Sequence, residues 1–296
     1  MLEMTEHEKF LFDLQGFLHV KNVLTPQEVK ALNDAIDANV ASSEDYDWTS
    51  PNEYGGGMSG AYSVRSESGM ITWPKPWCQP FRDLIAHPKI IPYLNSMFGR
   101  GWRHEPAPSV IMSRKGSGGH GLHGQTSRYF DGSQCYVYTN GQFRAGLSIF
   151  QFQLRDINPG DGGIAVIPGS HKANFKCPED IMLYNVDQEA VRNVTSKAGD
   201  LVIFMETTIH GSLPWTAEYD RRSLMYHYSP RHSNFQSGYY EVKMQDWVSE
   251  LTDVQRAAVE PPYIYNRPLL EDDGKTLVNP GQEPKPHIPR HLNEMD

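Results

Sequence analysis

Two hydrophobic rhythms divide the chain. Up to about residue 40 the apolar positions recur at helical spacing, and beyond about residue 108 they come in short runs separated by turn residues. Phe10, Leu11 and Leu14 predict a first helix that Gly16 stops, and Phe17 to Leu24 reads as a strand. Thr25-Pro26-Gln27-Glu28 is a helix start, with Thr25 as N-cap, Pro26 at the first helical position and Glu28 reaching back. That second helix continues through Val29, Leu32 and Ile36. Residues 41–80 read as a long loop rich in Ser, Gly, Pro and aromatics (Tyr46, Trp48, Tyr54, Tyr62, Trp73, Trp77), the composition either of a lid or binding loop or of a surface excursion packed by its own aromatics. A helical stretch follows near 81–98.

The second half predicts strands at Ser109–Met112, Ala145–Leu154, Gly163–Ile167, Leu201–Ile209 and Ser223–Tyr228. Many short strands at this spacing predict a mainly β fold with flanking helices: a single jelly-roll, cupin-like domain. Its core runs from about 8 to 240. The remainder, 241–296, holds one helix, capped by Thr252 and ended by Pro261-Pro262, and a polar, Pro-rich tail expected to wrap the fold or to lack order.

Composition narrows the function more than the fold. Hydrophobic residues at 39% and charged residues at 21% suit a soluble folded chain. No apolar run approaches eighteen residues, so no membrane span is expected. Met1 to Glu6 is acidic and lacks an apolar stretch, which argues against a secretory signal. Cys78, Cys135 and Cys177 are odd in number and widely spaced, a pattern of neither disulfides nor zinc that suits a reducing cytoplasm. The net charge of −9, with no basic stripe, argues against nucleic acid as a partner. A small anion remains compatible, because a single arginine can capture a carboxylate on an acidic protein.

The candidate chemistry lies in the β half. His123 closes the glycine-rich stretch Gly118-Gly119-His120-Gly121-Leu122-His123, and His210 ends the predicted strand 201–209, sharing a face with Val202, Phe204, Glu206 and Thr208. Two histidines on one inner face are two-thirds of a 2-His-1-carboxylate triad, which binds Fe(II) on one face and leaves the opposite positions open. Farther on, Arg221 and Ser223 share a strand face, and a guanidinium with a hydroxyl suits a bound carboxylate. Read alone, Arg221 would sooner pair with Asp220 or Glu218 at the surface; beside the two histidines the carboxylate-binding reading prevails.

These segments resemble the phytanoyl-CoA dioxygenase family of Fe(II)/2-oxoglutarate-dependent oxygenases. The matching residues are Gly16-Phe17-Leu18, the His123 loop, Gly160-Asp161-Gly162-Gly163 leading to Ile167-Pro168-Gly169-Ser170-His171-Lys172, Gly199-Asp200-Leu201-Val202-Ile203-Phe204, His210-Gly211-Ser212 and Arg221-Arg222-Ser223. The resemblance spans about residues 8 to 232. It implies a double-stranded β-helix, iron at His123 and His210, and 2-oxoglutarate held by Arg221 with help from Ser223. It also implies O2 and a small-molecule substrate as reaction partners. His171 is not carried over as a ligand.

The family motif is His-x-Asp or His-x-Glu, but here the third position is Gln125. Four readings compete. Gln125 binds iron through its amide oxygen. Another carboxylate substitutes: Asp131, or Glu206, which on an extended strand lies roughly 13 Å from His210. Chloride fills the position, as in the related halogenases. Or the chain is a non-catalytic relative, a cupin-like binding protein. A zinc hydrolase needs a third strong ligand and a general base that cannot be placed.

Overall fold

In the computed structural model, residues 2–42, 48, 55–105, 108–125, 134–235, 245–264 and 266–278 are described. In chain order the elements are α1 (Glu6–Gln15), β1 (Phe17–Val20), α2 (Pro26–Asn39), β2 (Arg65–Ser68), α3 (Gln79–Leu84), α4 (Ile91–Phe98), β3 (Arg103–His104), β4 (Ser109–Ser113), β5 (His120–His123), β6 (Tyr136–Thr139), β7 (Gln142–Ala145), β8 (Ser148–Gln153), β9 (Gly163–Val166), α5 (Glu179–Met182), β10 (Arg192–Asn193), β11 (Leu201–Met205), β12 (His210–Leu213), β13 (Arg221–Ser229), α6 (Asp253–Ala258), β14 (Leu269–Leu270) and β15 (Leu277–Val278).

Two antiparallel sheets form the jelly roll. The larger has the order β1-β11-β8-β13-β4-β2, with β3 also on β13, and the smaller has the order β10-β9-β12-β5. Strand alternation sorts the residues of the large sheet. Phe150, Phe152, Leu201, Ile203, Leu224, Tyr226 and Tyr228 point outward into one core with α1 to α4, where Tyr226 and Tyr228 donate to the carbonyls of Phe81 and of Leu84 and Ile85. Ile149, Val202 and Phe204 point inward and meet Ile164 and Val166 of the small sheet. His123, His210 and Arg221 line this inner space.

The capping box predicted at Thr25 is present, and the cap expected at Thr252 is also part of a box. Thr25 accepts from the Glu28 amide while the Glu28 carboxylate accepts from the Thr25 amide, and Thr252 and Gln255 repeat the arrangement. Gly16 ends α1 in the left-handed conformation at φ 77°. A side chain there would collide with His171 and Thr208, so the residue is also required by close packing.

Several expectations are corrected. The buried face of α1 is Phe12, whereas Phe10 and Leu14 are exposed. The stretch near 81–98 is two helices, interrupted at residues 85–90. The predicted strand 201–209 is two strands in different sheets: β11 stops at Met205, a turn closed by the Thr208 amide on the Met205 carbonyl (3.0 Å) follows, and β12 opens at His210. Within the aromatic loop, Trp48 is buried, and Trp73 and Trp77 pack on the outer core, Trp73 edge-on to Phe81. Tyr46 and Tyr54 lie outside the described residues, as do 279–296. The C-terminal segment as far as residue 278 wraps the fold, with buried Arg267 donating to the carbonyls of Gly101, Pro261 and Ala257. No helix among the described residues is long and apolar enough to cross a membrane.

Candidate active site

His123 and His210 sit directly opposite each other on β5 and β12, with ring centroids 4.3 Å apart. Backbone contacts hold both in one orientation. His123 Nδ1 lies 2.9 Å from the Gly121 carbonyl, and His210 Nδ1 lies 2.7 Å from the Thr208 carbonyl. A carbonyl oxygen only accepts, so each Nδ1 carries the proton and each Nε2 keeps its lone pair. This is the tautomer a metal ligand requires. Burial pushes the His210 imidazole down to about 3, with the neighbouring His123 adding to the effect, so it stays neutral.

The loop before His210 is braced from behind. The Ser170 hydroxyl accepts from the Ile209 amide at 2.7 Å, and the Thr208 hydroxyl donates to the Gly16 carbonyl at 2.8 Å. His171 contacts the Asp13 carbonyl at 3.1 Å, tying the Pro-Gly-Ser-His-Lys stretch to α1. Asp200 accepts from the amides of Asn22 and Lys197, fixing the start of β11.

A third candidate ligand stands beside the histidines. The ligand atoms of His123, Glu206 and His210 all lie within 4.8 Å of one another. Donors on one face of an ion, each about 2.1 Å from it, stand roughly 3 Å apart, so the three must draw together to share one. Glu206 follows the last residue of β11, and its amide donates to the Leu147 carbonyl at 3.0 Å. Burial raises its carboxyl to about 7. The His227 imidazole lies 4.0 Å from it, and burial lowers that group to about 4, so it brings no positive charge near neutral pH.

The structure places Gln125 differently. Its Nε2 donates to the Phe175 carbonyl at 2.6 Å, and its Oε1 accepts from the Cys177 amide at 3.1 Å. Its backbone is left-handed at φ 72°, following Gly124 at φ 116°. The other carboxylate considered, Asp131, lies outside the described residues.

Arg221 is fully buried on the inner face of β13, and burial lowers its guanidinium to about 10. It forms no ion pair with a described carboxylate. Instead Nε donates to Ser223 Oγ at 3.1 Å and Nη1 to Ser212 Oγ at 2.8 Å. The Ser223 hydroxyl in turn donates to Gln153 Oε1 at 2.7 Å, and Gln153 donates to Gln151. Ser223 therefore positions Arg221 as it stands. A buried cation with no anion is costly, and this one lines the same cavity of about 230 Å³ as His120, His123, Glu206 and His210. Ile111, Ile149, Ile164, Phe204 and Met225 supply its apolar walls.

From the loop at 41–80 only Val64 reaches this cavity among the described residues. Arg114 stacks on the Tyr62 ring and Lys115 pairs with Glu218. Sequence reasoning passed over Gln151, Gln153 and His227, which share the inner strand faces with Ser223; the alternation along β8 and β13 carries that signal.

Facing antiparallel sheets enclose a histidine pair and a buried arginine, a set of side chains that could hold a metal ion and an anion inside a jelly roll. The sequence profile described as phytanoyl-CoA dioxygenase (PhyH) matches residues 12–223, and the chain belongs to that family of Fe(II)/2-oxoglutarate-dependent oxygenases. Comparison with curated protein sequences returned no match. Among solved structures, HygX from Streptomyces hygroscopicus with nickel and 2-oxoglutarate bound superposes with a TM-score of 0.64 at 20% identity, covering 78% of this chain and 89% of HygX. The carbocyclase SnoK from nogalamycin biosynthesis gives 0.54 at 15% identity, covering 93% and 96%. EctD from S. alaskensis, with 2-oxoglutarate and 5-hydroxyectoine, gives 0.55 at 19% identity, covering 77% and 76%. At these identities the likeness is one of fold.

Proposed function

We propose that the protein is a non-haem iron(II)- and 2-oxoglutarate-dependent oxygenase that uses O2 to hydroxylate an unactivated C–H bond of a small molecule. The observation that carries the reading is the pairing, in one cavity, of two histidines with free Nε2 lone pairs and a buried arginine that lacks an anion. HygX and EctD, of the same fold, were solved with 2-oxoglutarate. A buried guanidinium that opens on a cavity suits an anionic ligand there.

The residues fit the cofactors. His123 and His210 would hold the iron through Nε2, and Arg221 would pair with the far carboxylate of 2-oxoglutarate, restoring neutrality to a cation that is already desolvated. The bound iron and 2-oxoglutarate supply the oxidising power, as O2 is consumed and 2-oxoglutarate gives succinate and CO2. The protein's part is to orient and to exclude water. Ser212 and Ser223 fix the guanidinium fork, and the aliphatic and aromatic walls keep the interior dry. A cavity of about 230 Å³ suits a small co-substrate, while drug-sized ligands fill roughly 300–1,000 Å³. The substrate therefore approaches through the mouth at His120 and His123, the two exposed lining histidines.

The test is co-substrate turnover. Purified protein supplied with Fe(II), 2-oxoglutarate and air should release succinate, even uncoupled, and Arg221→Ala should release at least about tenfold less at limiting 2-oxoglutarate. Succinate release that is independent of Fe(II), or equal in the two proteins, contradicts the reading.

A further inference from the structure

The position that carries the family's carboxylate is Gln125, and both ends of its amide are spent on the backbone of residues 175–177. To reach iron it would have to give up both hydrogen bonds. The Glu206 carboxylate, by contrast, has no hydrogen-bonding partner among the described residues. It is largely buried, and its ligand atom and those of His123 and His210 lie within 4.8 Å of one another. A buried carboxylate without donors calls for a cation.

The backbone brings it there by construction. The Gln125 amide donates to the Thr207 carbonyl at 3.1 Å, joining the turn after His123 to the turn after Glu206. Gly124 makes the contact possible. A Cβ at that position would lie 2.6 Å from the Thr208 carbonyl oxygen and 2.7 Å from that of Glu206.

We propose that the carboxylate ligand has moved from the His-x-Asp position to Glu206, so that His123, His210 and Glu206 form the iron-binding triad and Gln125 is a structural residue of the neighbouring loop. The inference rests on the iron reading above. It has a chemical consequence. With Glu206 as the third ligand the site reaches the charge of an ordinary triad without an external anion, and the place a halide would fill is taken. The site is thereby an oxygen-transfer site with no chloride requirement.

The experiment is anaerobic calorimetric titration of the full-length apoprotein with Fe(II), with and without excess chloride. The proteins compared are the wild type, Glu206→Gln, Glu206→Asp, Gln125→Ala and His210→Ala, each first shown to be folded by circular dichroism. Glu206→Gln should weaken Fe(II) binding at least about 100-fold, Glu206→Asp should weaken it less, and Gln125→Ala should stay within about threefold of wild type. Chloride should change nothing in the wild type. Binding that survives Glu206→Gln but is lost in Gln125→Ala overturns the proposal and leaves the iron reading intact. Wild-type affinity that appears only with chloride also overturns it. A wild type that binds Fe(II) no better than His210→Ala removes the iron reading, and the proposal with it. If Glu206→Gln does not fold, Glu206→Asp and Gln125→Ala decide between the two ligands.

Discussion

Glu206 and His210 are four residues apart on the chain, yet Glu206 follows the last residue of a strand in the large sheet and His210 opens a strand in the small one, and their ligand atoms lie within 4.8 Å. The tight turn at 205–208 turns a sequence neighbour into a facing partner. The arrangement depends on backbone geometry as much as on side-chain identity.

Gly124 is where that dependence is most exposed. Gly124→Ala places a Cβ in contact with two carbonyl oxygens at a φ of 116°. The expected cost is at least about 2 kcal/mol in folding stability, with a loss of Fe(II) affinity as the two turns separate. Urea denaturation and metal titration of the same preparation check both effects.

The buried guanidinium predicts a separation of binding from stability. Arg221→Met removes a charge that no described carboxylate balances, so the apoprotein should lose little stability. The affinity for 2-oxoglutarate should fall by about 2–4 kcal/mol, or roughly 30- to 1,000-fold. Arg221→Lys should recover only part of it, because an ammonium lacks the planar fork. Equilibrium binding of 2-oxoglutarate and thermal melting measure the two quantities independently.

Protonation of Glu206 gives the apoprotein a defined pH response. Its carboxyl is raised by burial to about 7 from 4.5, so between these values the folded chain holds a proton that the unfolded chain has lost. Stability from this group is complete below about pH 4.5 and declines as pH rises towards 7. Glu206→Gln removes the penalty. The metal-free variant should exceed metal-free wild type in stability at pH 8 by on the order of 2–3 kcal/mol, and by clearly less at pH 5.5. Denaturant midpoints at the two pH values test the sign. A variant less stable than wild type at pH 8 would contradict it.

Much of this was legible beforehand. Short β-rich runs between turn residues point to the jelly roll, and the placement of His123, His210, Arg221 and Ser223 points to one cavity. Thr25 and Thr252 announce their helices because a capping box is a local signal. Glu206 was set aside for a physical reason. Met205-Glu206-Thr207-Thr208 contains no Gly, Pro, Asn or Asp, so the turn there carries no sequence signature and the stretch reads as continuous strand. Gln125 drew attention by its register alone, and its orientation is set by left-handed backbone and by a loop fifty residues away. The faces of α1 were misjudged because Phe10 and Leu14 are apolar yet exposed, while Phe12 alone is fully buried. Trp73 and Trp77 show the same limit from the other side: aromatics in a loop can pack into the core as readily as over a site.

The central claim is that iron and 2-oxoglutarate meet in this cavity, and anaerobic absorption spectroscopy tests it most directly. Adding Fe(II) and then 2-oxoglutarate to chloride-free apoprotein should produce the weak visible charge-transfer band of the chelate, and Arg221→Met should need far more 2-oxoglutarate to reach it. A band of that kind supports an Fe(II)/2-oxoglutarate oxygenase. No band in the folded wild type, at saturating concentrations of both, would contradict the account.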